Sequence, residues 1–245
     1  MNKNYRCSVI VCYHKRDSKL FKALKSIENQ IQLPTEIILV EDSLNIIYTN
    51  EEIREHLIKN ISITIIRNKK NIGLAKSMNR GITAANTMLI FRLDYDDTYL
   101  KNHIEKSLKN YENNKKALIF TQTNKYFNIH KDSIWIDNNN TIHSSWLINL
   151  NIQKDFRYLD LKPEDYATAS FYYRRNHMII LSREKTVKYF DNIEGVSKLP
   201  YANKNISQIR RANFLFYLKK NKKFSFFERM LFIIFKINPL TLLKL

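Results

Sequence analysis

Short apolar runs alternate with amphipathic stretches along the first 120 residues. Cys7–Tyr13 (CSVIVCY), Glu36–Val40 (EIILV), Ser62–Ile66 (SITII), Met88–Leu93 (MLIFRL) and Ala117–Thr121 (ALIFT) are nearly continuous in apolar residues. Runs of this length without alternation predict strands buried on both faces. Between them, Ser18–Gln30 sets Leu20, Phe21, Leu24 and Ile27 along one helical face. Glu51–Lys59 predicts a charged helix, Asn71-Ile72-Gly73 turns the chain into a helix ending near Ala85, and Leu100–Tyr111 predicts another. Strands alternating with helices predict an α/β domain with a mostly parallel sheet flanked by helices. Ligands of such sheets bind beyond the carboxyl ends of the strands. The polar clusters fall there: Tyr13-His14-Lys15, Glu41-Asp42-Ser43 and Asp94-Tyr95-Asp96-Asp97.

From Asn124 the pattern changes. Asn124–Ile136 predicts a hairpin, Asp137–Asn140 an Asx-rich loop, and His177–Leu181 a strand, whereas residues 141–175 are aromatic-rich and show no clear period. Asn205–Lys220 and Ser225–Lys236 predict helices on either side of a basic knot, Lys219–Lys223. No internal repeat or Gly/Ser-rich linker divides the chain, and 245 residues suit one α/β domain with an appendage, the boundary falling near residue 200. No apolar run is long enough to predict a bilayer-spanning helix, and the N-terminus does not read as a secretory signal. Cys7 and Cys12 lie five residues apart on one predicted strand. Side chains alternate there, so the two thiols face opposite ways and are expected as buried apolar groups rather than a disulfide.

Charge adds a partner class. Lys and Arg number 41 against 23 Asp and Glu, a net +18, and half of that excess lies within residues 202–245. Such a surface favours a phosphate-bearing substrate, an anionic membrane or a nucleic acid. The segment Phe224–Leu245 adds Phe226, Phe227, Met230, Leu231, Phe232 and Phe235 before Pro239. With the basic knot it reads as an interfacial membrane anchor, the alternative being a helix packed on the domain or on a second subunit. Nucleic acid is not expected as a partner: no recognised binding motif is present and the acidic turn repels phosphate.

That acidic turn is the strongest chemical signal. Three carboxylates in four residues repel one another, and a hard divalent cation relieves the repulsion. Without a metal, the turn reads as a helix cap formed by Asp97 or Thr98. The motifs Ser8–Val11 with Tyr13, Ile38–Ser43, Arg67–Gly81 and Arg92–Asp97 occur in order. Their succession resembles the family-2 glycosyltransferases of the GT-A fold, especially bacterial enzymes of capsule and lipopolysaccharide synthesis. The resemblance covers roughly residues 6–120.

The resemblance implies a metal-dependent inverting transfer of a hexose or N-acetylhexosamine from a nucleotide-sugar, a UDP-sugar, to a surface-glycan or glycolipid acceptor. It implies Tyr13 against the uracil ring, Asp42 accepting the base N3–H, and Asn71 and Gly73 shaping the turn beneath the nucleotide. Asp94, Asp96 and Asp97 match the DxD-type motif, with Asp94 on the nucleotide side and Asp96 and Asp97 nearest an Mg2+ or Mn2+ ion. Lys76 would add positive charge at the diphosphate, since Met78 stands where some relatives carry Arg, and Glu41 replaces the commoner Asp. The first loop is one residue shorter than usual.

An inverting transfer also needs a general base, and a carboxylate suits a transition state with positive charge on the sugar ring. Relatives often carry it in a Glu-Asp pair after a later strand. The candidates are Asp191, which closely follows the His177–Leu181 strand, Glu194, and Asp165 of Glu164-Asp165-Tyr166. On this reading residues 1–120 form the nucleotide-sugar-binding half of a 1–200 catalytic domain, 121–200 the acceptor half and 201–245 the basic tail, with the protein cytoplasmic or peripheral on the inner membrane face. The rival readings are a catalytically weak nucleotide-binding module docked at a membrane, and a nucleotidyltransferase.

Overall fold

Four parallel strands form the half of the sheet that carries the acidic groups. The computed structural model describes residues 5–57, 61–123, 141–161, 164–182 and 184–188, with Gln208. The first strand, β1 (Ser8–Tyr13), pairs with β2 (Glu36–Glu41) on one side and β4 (Leu89–Asp94) on the other, and β3 (Ser62–Arg67) extends the edge beside β2. The short β5 (Thr98–Tyr99) leaves this sheet. Three further strands complete it: β6 (Ala117–Thr123), β7 (Thr141–Asn149), which runs antiparallel to β4, and β8 (Met178–Ser182), parallel to β6. The order is β3-β2-β1-β4-β7-β6-β8. The carboxyl ends of β2, β1 and β4 therefore lie side by side, and Asp42, His14 and the acidic turn share one edge.

Helices cover both faces because the strands present apolar side chains to each. Val9, Val11 and Tyr13 join Leu20, Leu24 and Ile27 of α1 (Lys19–Glu28) in one cluster. Ile10, Ile38 and Val40 join Ala75, Met78 and Ile82 of a helix on the other face. The charged α2 (Asn50–Glu55) starts with a capping box between Thr49 and Glu52 and is shorter than the predicted helix; the helix on the second face is α3 (Leu74–Ala84). Cys7 and Cys12 are free and buried, one in each cluster, as the alternation predicts. Burial pushes the Cys7 thiol up to about 12 and that of Cys12 higher still.

Gly81 sets how closely α3 approaches the sheet. A Cβ there would stand 2.6 Å from Ile10 Cγ2 and 3.3 Å from Val40 Cγ2. Gly81→Ala is therefore expected to cost about 1–3 kcal/mol by overpacking, read by denaturant unfolding. An unchanged midpoint would show that the helix shifts freely.

The remainder departs from the sequence reading. The helix expected from Leu100 starts at His103 as α4 (His103–Asn113), behind Asn102. Thr98 instead lies in β5, which pairs with β9 (Val187–Lys188), and Asp97 caps no helix. The stretch without a clear period, 141–175, holds β7 and α5 (Glu164–Arg174). Buried residues almost encircle the early turns of α5, among them Asp165, Tyr166, Ala167, Thr168, Ala169 and Ser170, so no amphipathic period is present to read. The predicted hairpin and loop over 124–140 and the tail helices lie outside the described residues, Gln208 excepted. Among the described residues no helix is long and apolar enough to cross a membrane.

Candidate active site at the carboxyl edge of the sheet

Asp42 follows β2 directly and is buried. Its Oδ1 accepts from Asn68 Nδ2 at 2.8 Å and from the Ile72 backbone N–H at 2.8 Å, and its Oδ2 accepts from the Gly73 N–H at 2.9 Å. One carboxylate thus pins the turn that opens α3. Gly73 has φ +88°, a left-handed conformation that favours glycine, and a Cβ there would meet nothing within 4 Å; the requirement is for the backbone angle, not for space. Asn71 Oδ1 accepts from the same Gly73 N–H at 3.2 Å. A carboxylate offers about four lone-pair directions, so three internal donors leave Asp42 about one for a ligand. Lys76, in the first turn of α3, pairs with Asp160 at 2.8 Å across exposed surface.

Tyr13 is not where its expected role requires. It follows Val9 and Val11 onto the core face, donates its hydroxyl to Glu41 Oε2 at 2.8 Å and packs beside Tyr48, fully buried. No ligand ring can lie against it there. The next residue, His14, is exposed and meets Tyr95 of the acidic turn edge-on, with ring centroids 5.8 Å apart. The one-residue-shorter loop is the sequence signal for that shift.

The acidic turn divides into two parts. Asp94, its side chain 26% exposed, and the partly buried Asp96 lie on the open side. Asp97 is 1% exposed and accepts from Ser144 Oγ of β7, which also accepts the Asp94 N–H at 3.2 Å. The expectation that Asp97 holds a metal is therefore corrected: Ser144 turns its carboxylate inward, where it braces the turn.

Behind the turn lies Arg92, itself 1% exposed. Its Nε donates to Asp94 Oδ1 at 2.9 Å, and its Nη2 lies 3.6 Å from Glu164 Oε1, at the start of α5. The Tyr158 ring lies 5.4 Å from the guanidinium. Burial disfavours charge on Asp94, but the adjacent guanidinium outweighs it and holds the carboxyl below its usual range. Asp96 is pushed the other way, first by burial and then by the charge of Asp94.

Among the described residues no group of three or more His, Cys, Asp or Glu is arranged to hold a metal ion. Mg2+ commonly takes only one or two carboxylates beside substrate phosphates. Asp94, held ionised, and Asp96, partly exposed beside it on the same turn, fit that donor set.

Of the three base candidates, Asp191 and Glu194 lie outside the described residues. Asp165 lies in the second position of α5, beside Glu164, with its side chain 4% exposed. Its Oδ1 accepts the Tyr166 N–H, and its Oδ2 contacts Nδ1 of His143 on β7. Burial pushes Asp165 up to about 6, against the pull of Arg92, and Glu164 is likewise raised by burial and by Asp165. The Glu-Asp pair does follow a later strand, namely β7, the neighbour of β4. Arg92 opens the Arg92–Asp97 motif, and a positive charge inside the apolar run MLIFRL is the signal that marks it; no spacing or motif marks His143 and Ser144.

A parallel sheet with an acidic turn at the carboxyl end of its central strand, bordered by an antiparallel strand and a Glu-Asp helix start, defines a GT-A-type domain. The chain belongs to Glycosyl transferase family 2, whose profile matches residues 8–179, and by family it is a glycosyltransferase. It is 26% identical over 247 residues to the uncharacterized glycosyltransferase MJ1057 of Methanocaldococcus jannaschii, covering 93% of this chain and 79% of that protein. It is 30% identical over 107 residues to the uncharacterized glycosyltransferase YwdF of Bacillus subtilis, covering 44% of this chain and 38% of that one.

Among solved structures it resembles S. aureus TarS 1-349 in complex with UDP-GlcNAc, with a TM-score of 0.62 and 16% identity over 87% of this chain and 66% of that one. The mannosyltransferase PcManGT from Pyrobaculum calidifontis, in complex with GDP-Man and Mn2+, gives a TM-score of 0.66 and 13% identity over 89% of this chain and 65% of that one. At these identities the likeness establishes the fold, and the chain spans about two thirds of these two proteins and under half of YwdF.

Proposed function

We propose that the protein transfers a hexose or N-acetylhexosamine from a UDP-sugar to a hydroxyl of a surface glycan or glycolipid, with inversion at the anomeric carbon. One observation carries this reading: a buried guanidinium, Arg92, joins an acid kept ionised, Asp94, to the helix start that bears an acid kept weak, Asp165. Such a separation of carboxyl strengths matches a charge-binding group on one side and a proton acceptor on the other.

In this mechanism the Asp42-braced turn supports the nucleotide, with His14 and Tyr95 as the rings at its rim. Asp94 and Asp96 would hold Mg2+ or Mn2+, which when bound neutralises charge on the departing diphosphate. Lys76, released from Asp160, adds a cation to the same phosphates. Asp165 accepts the proton of the acceptor hydroxyl as its oxygen bonds to the anomeric carbon. The bond from that carbon to the diphosphate oxygen breaks, and its electron pair leaves with UDP. The UDP-GlcNAc and GDP-Man with Mn2+ named for the two structural neighbours support a nucleotide-sugar donor and a divalent cation. The basic segment 201–245 would hold the enzyme at the inner membrane surface, near a lipid-linked acceptor.

A panel of UDP- and GDP-sugars with Mn2+, scored by thermal shift and by release of the nucleoside diphosphate, tests the reading. One UDP-sugar is expected to stabilise the protein, with the shift lost on chelation and in Asp96→Ala. Release of pyrophosphate, or an equal shift with chelator present, would overturn it.

A further inference from the structure

The segment His143-Ser144 of β7 serves two acids at once. Ser144 holds the acidic turn through the Asp94 N–H and the Asp97 carboxylate. His143 contacts Oδ2 of Asp165 on α5. The register between β7 and β4 is fixed by Leu89–Asn149, Ile90–Ile148 and Phe91–Leu147, so this segment emerges beside the carboxyl end of β4. The His143 ring is held edge-on by the fully buried Trp146, with centroids 6.0 Å apart, and its side chain remains 29% exposed.

The chemistry of the contact fixes its direction. A neutral imidazole donates from one nitrogen and accepts at the other, and an ionised carboxylate only accepts. Arg92, Asp94, Glu164 and Asp165 are the charged groups around His143. Burial, aided by Arg92, keeps the ring uncharged, down to about 4. Against ionised Asp165 the contact is attractive only when Nδ1 carries the proton.

We propose that His143 is a positioning residue for Asp165: its Nδ1–H holds one carboxylate oxygen, while the Tyr166 N–H holds the other, so that the remaining lone pairs meet the acceptor hydroxyl in a fixed orientation. The inference rests on Asp165 being the proton acceptor. During transfer the hydroxyl proton goes to Asp165 and His143 keeps its own. The role resembles the second-sphere partners that orient ligating groups elsewhere, whose loss costs about 10- to 100-fold.

The test uses the full chain, Mn2+ and the UDP-sugar selected by the donor panel, with water as acceptor and UDP release as the readout. His143→Ala is expected to lower kcat about 10- to 100-fold with the donor KM unchanged. Its acid limb should move to higher pH, because a lost donor disfavours the ionised carboxylate. His143→Asn, which offers an N–H near the Nδ1 position, is expected to recover most of the loss. Should the alanine variant melt far below the parent, His143→Gln takes its place.

Histidine 15N shifts provide a readout that needs no substrate: His143 is expected as the Nδ1–H tautomer in the parent and not in Asp165→Asn. An Nε2–H tautomer in the parent, or full kcat in His143→Ala, would overturn the positioning role alone while Asp165→Asn is inactive. Full turnover in Asp165→Asn would instead overturn the base assignment on which it rests.

Discussion

Asp165→Asn is expected to remove about two to four orders of magnitude of turnover, the range ascribed to a positioned general base, while the donor still binds. The asparagine amide cannot take the acceptor proton, yet it fills the same volume between Tyr166 and His143. The pH dependence follows from the burial that raises this carboxyl to about 6. Parent activity should climb as pH passes through that value and the base ionises.

The effect on stability runs the other way. A carboxyl raised above its unfolded value favours the folded state at low pH, and that contribution is lost as pH rises through about 6. Above that pH the variant, with no charge to bury, should melt no lower than the parent. Turnover within a fewfold of the parent would remove Asp165 from the mechanism.

Arg92→Met is expected to be the most destabilising single change in the site. The guanidinium is buried between Asp94 and Glu164, and its removal leaves their charges without their shared partner. Breaking a buried pair in this way typically costs about 3–5 kcal/mol. Asp94 is held below its usual range by Arg92, so this stabilisation is present above the ordinary carboxylate range and is lost as acid protonates Asp94. The deficit of the variant should therefore be greatest near neutral pH and should narrow in acid. Equal loss at both, measured by denaturant unfolding, would mean that shape rather than charge makes Arg92 important.

The parallel half of the fold was legible because strands buried on both faces leave continuous apolar runs, as in SVIVCY and EIILVE. The acids at their ends were legible because an acidic turn after such a run has few structural uses. What escaped was set by packing between distant segments. Tyr13 reads as an exposed ring only until the alternation along β1 is followed to its end, which leaves His14 outside. Asp97 cannot be told from Asp96 without Ser144, which is 47 residues away. The base candidate Asp191, outside the described residues, follows β8 in the sequence. That strand lies two places beyond β7, whereas β7 borders β4 and leads on to Glu164-Asp165. The polar residues of His143-Ser144-Ser145 hid β7: His143 and Ser144 meet the acids of the site, and Ser145 accepts from the Gln122 N–H of β6.

If Asp94 and Asp96 hold a cation against a nucleoside diphosphate, UDP and Mn2+ bind this protein together and not separately. The most direct measurement is Mn2+ uptake followed by the electron paramagnetic resonance of the free ion, with and without UDP. UDP is expected to drive Mn2+ onto the parent protein and to fail to do so when Asp94→Asn and Asp96→Asn are combined. Equal uptake by the parent and the double variant would contradict it.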